Sequence, residues 1–120
     1  MIGKVVGRQA RLDIPFLLPD NRRIEIEFVV DTGFDGFLVL SSEAVTALNL
    51  PFYQRIEAIL ADGVAVDHPV YHATILWEGE VRTVTVLAMG QRPLLGTALM
   101  NAQELVIQFA EGGLVTLEKI

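Results

Sequence analysis

The sequence contains no cysteine, which excludes disulfides, thiol catalysis and thiolate metal sites. Its uninterrupted apolar runs are short, such as Phe37-Leu38-Val39-Leu40. They are much shorter than the ~18 apolar residues that a membrane-spanning helix needs. Its first residues lack the apolar core of a secretory signal. Basic residues are few, with 9 Lys and Arg against 15 Asp and Glu and a net charge of -6, and this sign disfavours a phosphate backbone as partner. We therefore expect a cytoplasmic protein that binds neither nucleic acid nor membranes.

Apolar side chains make up an unusually large share of the chain. Hydrophobic residues account for 52% of the sequence, and the mean hydropathy is +0.45. The length of 120 residues suits one domain, which we expect to span residues 1–120. Because a domain of this size buries only part of such an apolar surplus, we expect a subunit interface to cover the remainder.

The spacing of turn residues predicts an all-β fold. Proline and glycine recur at short intervals and separate runs rich in Val, Ile, Leu, Phe and Thr, which is typical of a β-sandwich or barrel. Apolar positions alternate with others from Ile24 to Val30, which predicts a strand with one buried face that runs directly into Asp31. The run from Phe37 to Leu40 predicts a second, buried strand.

Short helices and tight hairpins are predicted around these strands. One helix begins at Ser41 or Ser42 and ends near Leu48, and a second runs from Thr97 to Gln103. Asp-Gly and similar pairs adopt the positive φ angles of hairpin turns. Hairpins are therefore predicted with turns at Asp62-Gly63, Glu78-Gly79 and Gly112-Gly113.

The segment Asp31-Thr32-Gly33 is the strongest candidate for chemistry. A carboxylate directly after a buried strand is costly unless it is hydrogen-bonded or shares a proton. Gly33 allows a sharp turn that brings backbone N–H groups toward the carboxylate, and Thr32 offers a hydroxyl. The same tripeptide is also typical of an ordinary Asx turn at the end of a strand, so the tripeptide alone does not decide between the two interpretations.

A second motif, Leu94-Leu95-Gly96, lies later in the chain. Its spacing from Asp31-Thr32-Gly33 favours the catalytic interpretation of the first motif over an ordinary turn. Together the elements Val29-Val30-Asp31-Thr32-Gly33, the strand from Phe37 to Leu40, the hairpin at Ala61-Asp62-Gly63 and Leu94-Leu95-Gly96 resemble the retropepsin-like aspartic proteases in order and spacing. The resemblance covers most of the chain. It implies a closed, mostly antiparallel retropepsin-like (acid protease) β-barrel with one or two short helices, in which the second motif crosses behind the Asp-Thr-Gly loop.

The resemblance also implies a mechanism. Pepsin-like enzymes carry two Asp-Thr-Gly motifs in one longer chain, whereas this chain has one, so the resemblance implies a homodimer with the active site at its interface. Asp31 of each subunit would contribute one carboxyl, and the pair would share a proton and activate a water for peptide hydrolysis. Peptides or proteins would be the substrates, and neither metal nor cofactor would be needed.

The resemblance assigns three groups of site residues. Asp31, Thr32 and Gly33 would form the catalytic loop, and Leu94, Leu95 and Gly96 would support it. Substrate would contact the residues after the loop and the tip of the flap hairpin: Phe34, Asp35, Ala61, Asp62 and Gly63.

Two positions depart from the pattern of the family. Phe34 stands where Ala or Ser is common, and Thr97 stands where viral members often carry an Arg that pairs with an acidic residue like Asp35. Asp35 would then pair with Arg8, Arg11 or Arg92, or be a solvated turn residue.

These departures keep a second hypothesis open. In it, the same fold is a catalytically weak or inactive dimerisation or peptide-binding module, in which Phe34 fills the cleft and Asp31 maintains the loop geometry. A metal site at His68 and His72 is a weaker hypothesis, because a half-exposed strand explains that spacing equally well.

Overall fold

The computed structural model describes residues 1–59 and 62–120. Within these residues the chain forms ten strands and one helix. In chain order they are β1 (Ile2–Val6), β2 (Gln9–Leu17), β3 (Arg23–Val30), β4 (Leu38–Leu40), α1 (Ser42–Ala47), β5 (Phe52–Ile59), β6 (Ala65–Trp77), β7 (Glu80–Ala88), β8 (Leu94–Leu95), β9 (Gln103–Ile107) and β10 (Leu114–Lys119).

The strands form one sheet in the order β5-β6-β7-β4-β8-β3-β2-β1-β10-β9. Most neighbours are antiparallel, but β8 is parallel to β3 and β7 is parallel to β4. The sheet also folds back on itself, because the long strand β6 pairs with β2 as well as with β5 and β7. The prediction of an all-β fold with one or two short helices is confirmed at the level of the all-β class, and the described residues contain one short helix.

The core lies between the folded halves of this sheet and is built by alternation along the strands. In β2, Leu12, Ile14 and Phe16 are buried while Asp13 between them is exposed. Phe28 of β3 stacks on Phe16 with the ring centroids 5.8 Å apart. Side chains at every second position therefore face one apolar interior, as the period of a half-buried strand requires.

The first predicted helix is confirmed. The hydroxyl of Ser41 accepts a hydrogen bond of 3.1 Å from the backbone N–H of Ala44, which satisfies one N-terminal donor of α1. The second prediction, a helix from Thr97 to Gln103, is wrong. Residues 97–102 form successive turns, in which the N–H of Met100 donates to Thr97 across three residues. The left-handed backbone of Ala102 (φ 62°) then directs the chain into β9, which prevents a helix from continuing.

The predicted hairpins are present. The turn between β6 and β7 has Glu78 and Gly79 at φ 55° and 78°, the positive angles expected there. β5 and β6 form the first predicted hairpin. They pair antiparallel from Phe52 opposite Tyr71 to Ile59 opposite Ala65. Among the residues that the structure describes, no helix is long and apolar enough to cross a membrane.

Candidate active site

Asp31 lies directly after β3, in a loop that its own carboxylate organises. The N–H of Gly33 donates to Asp31 Oδ1 at 2.9 Å, and the N–H of Phe34 donates to the carbonyl oxygen of Asp31 at 3.2 Å. Asp31 is half-buried, and its Oδ2 accepts no hydrogen bond from the described part of the chain, so this oxygen is available on the open side of the residue. A carboxylate held by a backbone donor and open on one side can accept or donate a proton at a bound molecule.

β8 lies behind this loop, between β3 and β4. Leu94 and Leu95 are parallel to Val29 and Val30 of β3, and their other edge pairs antiparallel with β4. The N–H of Asp31 donates to the carbonyl oxygen of Leu95 at 2.9 Å. The two sequence motifs are therefore hydrogen-bonded to each other.

Gly96 is required by the close approach of two backbone segments. Its N–H donates to the carbonyl oxygen of Phe37 at 2.9 Å. A Cβ atom at this position would collide with the carbonyl oxygen of Gly36 and with the ring of Phe34. Only glycine lets the chain pass here without displacing the Asp-Thr-Gly loop.

The ring of Phe34 lies against glycines within the loop. A Cβ atom at Gly36 or at Gly96 would strike this ring, so the aromatic face covers both backbones. Phe34 is half-buried. The large side chain therefore fills space that two glycines leave empty, and it supports the loop from the side of β8.

Thr97 also supports the loop, at the position where viral relatives often have Arg. Both its N–H and its hydroxyl donate to the carbonyl oxygen of Phe34, at 2.9 and 3.3 Å. Asp35 is exposed, and no described cation lies within 4.0 Å of its carboxylate. Of its candidate partners, Arg11 is paired with Glu27 at 2.9 Å. Within one chain, Asp35 is therefore a solvated turn residue.

A cavity of about 400 Å³ opens beside Asp31. Strand β3 and the start of β8 form its base, and three other parts of the chain border it: the β1–β2 turn, the segment before β8 and the end of β9. Among the residues that line it are Asp31, Leu94, Arg8, Arg92, Ile107 and Phe109.

Sequence reasoning did not assign Ile107 and Phe109 to the site. They lie at the far end of the chain, and only the pairing of β10 with β1 brings that end toward Asp31. Phe109 has 71% of its surface exposed. No local pattern in the sequence marks Ile107 or Phe109 for this site, because their position depends on the pairing of distant strands.

Thr32 follows Asp31 in the loop and lines the cavity beside it. It is exposed, and its hydroxyl makes no hydrogen bond to the described part of the chain. The hydroxyl that the sequence offers at this position is therefore without a partner in the described part of one chain.

The hairpin assigned to substrate contact is only partly described. Ala61 lies outside the described residues. Asp62 accepts a hydrogen bond of 3.0 Å from the N–H of Val64, and Gly63 has φ 81°, so these two residues form the tight turn predicted for them. The described residues of this hairpin do not line the cavity beside Asp31.

His68 and His72 do not form part of a ligand cluster among the described residues, where no three His, Cys, Asp or Glu side chains come together. The ring of His72 stacks on Tyr53 with the centroids 4.3 Å apart. This stacking explains the half-buried position of His72 on β6.

Comparison with known proteins bears on the fold of the chain. No protein-family model and no curated protein matches the chain. Among solved structures, the chain is similar to the crystal structure of a retropepsin-like aspartic protease from Rickettsia conorii, with a TM-score of 0.62 and 15% sequence identity over 98% of this chain and 91% of the other. At this identity the likeness concerns architecture, and we conclude that the chain has a retropepsin-like fold.

Proposed function

We propose that the chain, as a single domain of residues 1–120, is a cytoplasmic, homodimeric aspartic endopeptidase. The observation that carries this proposal is the half-open carboxylate of Asp31, held by Gly33 and bordered by a cavity. Its position on a retropepsin-like fold supports the same assignment. Hydrolysis of peptide bonds is the chemistry for which a carboxylate pair in this setting is suited.

The site needs a second copy because one chain supplies one such carboxylate. Phe109, which lines the cavity, has 71% of its surface exposed. Large apolar side chains are also exposed on β1, β9 and β10: Ile2 at 74%, Val106 at 48% and Leu114 at 44%. Burying these side chains between two copies would stabilise a dimer and close the cleft.

In the proposed dimer the two Asp31 carboxyls face each other across the two-fold axis. Like charges at that distance cannot both ionise cheaply, so the pair holds one proton. The ionised carboxyl takes a proton from a water molecule, whose oxygen attacks the carbonyl carbon of the peptide bond. The protonated carboxyl donates its proton to the carbonyl oxygen, which gives a tetrahedral diol. As the C–N bond breaks, the carboxyl that took the water proton passes it to the leaving amine, and a hydroxyl of the diol returns its proton to the other carboxyl, so that the pair again holds one proton.

The remaining residues assigned from sequence would serve this reaction. Leu94, Leu95 and Gly96 hold the loop through the contacts described above, and Phe34 supports it. The hairpin that includes Ala61, Asp62 and Gly63 would close over an extended substrate as a flap, and Asp35 would contact the substrate backbone near the loop.

A mixed peptide library, incubated at several pH values and scored by mass spectrometry, tests this proposal. Cleavage should be blocked by a compound that mimics the tetrahedral intermediate, and it should be lost in Asp31→Asn by about a thousandfold or more, because the amide cannot cycle a proton. Asp13→Asn, at an exposed position on β2, is the matched control and should cleave normally.

Two outcomes would contradict the proposal. Cleavage by Asp31→Asn at the parent rate would show that Asp31 is not the catalytic residue. Binding of peptides without cleavage at any pH would favour the alternative function, a dimeric peptide-binding module.

A further inference from the structure

Two arginines border the cavity beside Asp31 and lack a carboxylate partner. Arg8 and Arg92 both line this cavity and are exposed. Neither guanidinium lies within 4.0 Å of a described carboxylate. Among the described arginines outside the cavity, those at positions 11, 22 and 23 have an acidic partner, whereas Arg55 and Arg82 have none in the described part of the chain. What distinguishes Arg8 and Arg92 is therefore their position beside Asp31.

The backbone at Arg8 is in a conformation that its side chain does not favour. Gly7 and Arg8 form the β1–β2 turn with φ 57° and 64°. Such turns favour Gly, Asn or Asp at both positions, because other L residues meet steric repulsion at positive φ. Arg8 therefore occupies a backbone position that is less favourable for it than for Gly, Asn or Asp, as Glu78 does in the β6–β7 turn.

The β1–β2 turn is also fixed in place. The N–H of Gly7 donates to Glu111 Oε2 at 2.9 Å, and the N–H of Val5 donates to the carbonyl oxygen of Gly113 at 2.9 Å. These bonds join the turn to the β9–β10 turn. Arg8 therefore extends from an anchored turn.

Arg92 is anchored to the strand that carries Asp31. It precedes Pro93, whose carbonyl oxygen accepts a hydrogen bond of 3.0 Å from the N–H of Val29. Val29 is two residues before Asp31 and is paired with Leu94. The Cα of Arg92 is therefore held close to the base of the cavity, while its exposed side chain is free to reach a bound molecule.

Two guanidinium groups make this cavity locally positive on a chain with a net charge of -6. Asp31 is the only acidic residue that lines the cavity in the described chain, and Leu94, Ile107 and Phe109 supply apolar walls. The planar donors of Arg bind carboxylates in a bidentate geometry, more strongly than neutral amides.

We infer that Arg8 and Arg92 select peptide substrates with an Asp or Glu side chain close to the bond that is cleaved. This inference rests on the proposed function and names its substrate class. An apolar side chain next to the acidic one would lie against Ile107 and Phe109.

The test uses matched peptides that differ only in Glu or Gln at one position, scanned over the four residues on each side of the cleaved bond. With the full-length dimer, kcat/KM should favour Glu over Gln at one or two positions by roughly fivefold or more. Arg92→Gln and Arg8→Gln should each reduce this ratio toward one, because kcat/KM falls more for the Glu peptide than for the Gln peptide. Arg92→Glu should shift the preference toward Lys.

Arg22→Gln is the matched control. The N–H and guanidinium of Arg22 hold the pKa of Asp20 below its ordinary value, so this arginine is already paired outside the cavity. Its replacement should leave the Glu to Gln ratio as it is in the parent.

Equal cleavage of Glu and Gln peptides at every position would overturn the inference while leaving the protease intact. A loss of cleavage that is equal for both peptides in Arg92→Gln would also overturn it, because the arginine would then act on Asp31 or on the dimer. If the parent cleaves neither peptide, the proposed function fails. The inference is then decided by binding. Asp31→Asn should bind the Glu peptide more tightly than the Gln peptide when both carry a fluorescent label, and equal affinities would overturn the inference.

Discussion

The backbone N–H of Asp31 donates a hydrogen bond of 2.9 Å to the carbonyl oxygen of Leu95. This bond joins the residue proposed for catalysis to a strand that is 64 positions later in the sequence. The position of the carboxylate therefore depends on β8 and on the residues that hold β8 in place. Replacing those residues should change stability and activity together.

Gly96→Ala should destabilise the protein by about 3 kcal/mol, because the new Cβ collides with the Gly36 carbonyl and the Phe34 ring. Urea unfolding measures this loss. Gly79→Ala is the control, because Gly79 has φ 78° and open space around it. Alanine there introduces backbone strain without a collision, and it should lower the free energy of unfolding by only about 1 kcal/mol. Equal losses in the two variants would show that the contact at Gly96 is unimportant.

Phe34→Ala should lower both stability and turnover. The ring covers Gly36 and Gly96, and its removal leaves a gap beside the loop that should cost about 2 kcal/mol in urea unfolding. Phe34→Leu keeps most of the volume and should lose less. A rise in turnover in Phe34→Ala would instead support the hypothesis that this ring obstructs the cleft.

Thr32 provides a test of the dimer. Its exposed hydroxyl has no partner in the described part of the chain, and at the proposed two-fold axis it would bond with the second copy. Thr32→Val should therefore raise the dimer dissociation constant by roughly tenfold, as about 1.4 kcal/mol would, whereas Thr32→Ser should keep it. Sedimentation measures the constant.

Specific activity should fall on dilution over the same concentration range in which sedimentation shows dissociation. A monomer with full specific activity would exclude a site built from two chains.

Activity should depend on pH in a bell shape. At low pH both Asp31 carboxyls are protonated and no base is present, and at high pH both are ionised and no acid is present. Peptide cleavage measured across acidic to neutral pH should therefore pass through a maximum on the acidic side. A flat profile would exclude a pair of carboxyls that shares one proton.

The same proton should link pH to association. Repulsion between two ionised carboxyls at the proposed two-fold axis disfavours the dimer, so association should weaken as the pH rises from the range where the pair holds one proton to the range where both carboxyls are ionised. Sedimentation of the parent at several pH values should show this change, and Asp31→Asn should lack it.

Elements with a short-range signal were predictable from the sequence. Alternation predicted β3, Ser41 predicted the start of α1, and the pair Glu78-Gly79 predicted a hairpin turn. Each depends on physical rules that act within a few residues. The prediction of a second helix after Thr97 failed because the conformation of Ala102 and the bonding of residues 97–102 depend on packing against distant segments.

The cavity beyond Asp31 was not predictable in the same way. Motifs placed Asp31 and Gly96 in the candidate site because both lie in recognisable patterns. Phe109 reaches the cavity through long-range strand pairing, and no local pattern encodes that pairing. The direction of the Phe34 ring depended on two glycines, one of them 62 positions away.

Strand β8 lies between β3 and β4 and contains only Leu94 and Leu95. Contacts between segments so far apart in sequence form slowly during folding, because the entropy of closing a long loop must be overcome first. The Asp31 loop can reach its final geometry only after β8 has entered the gap between its neighbours. A nascent or partly folded chain therefore lacks the arrangement proposed for proteolysis, and folding itself delays the appearance of activity until most of the domain is in place.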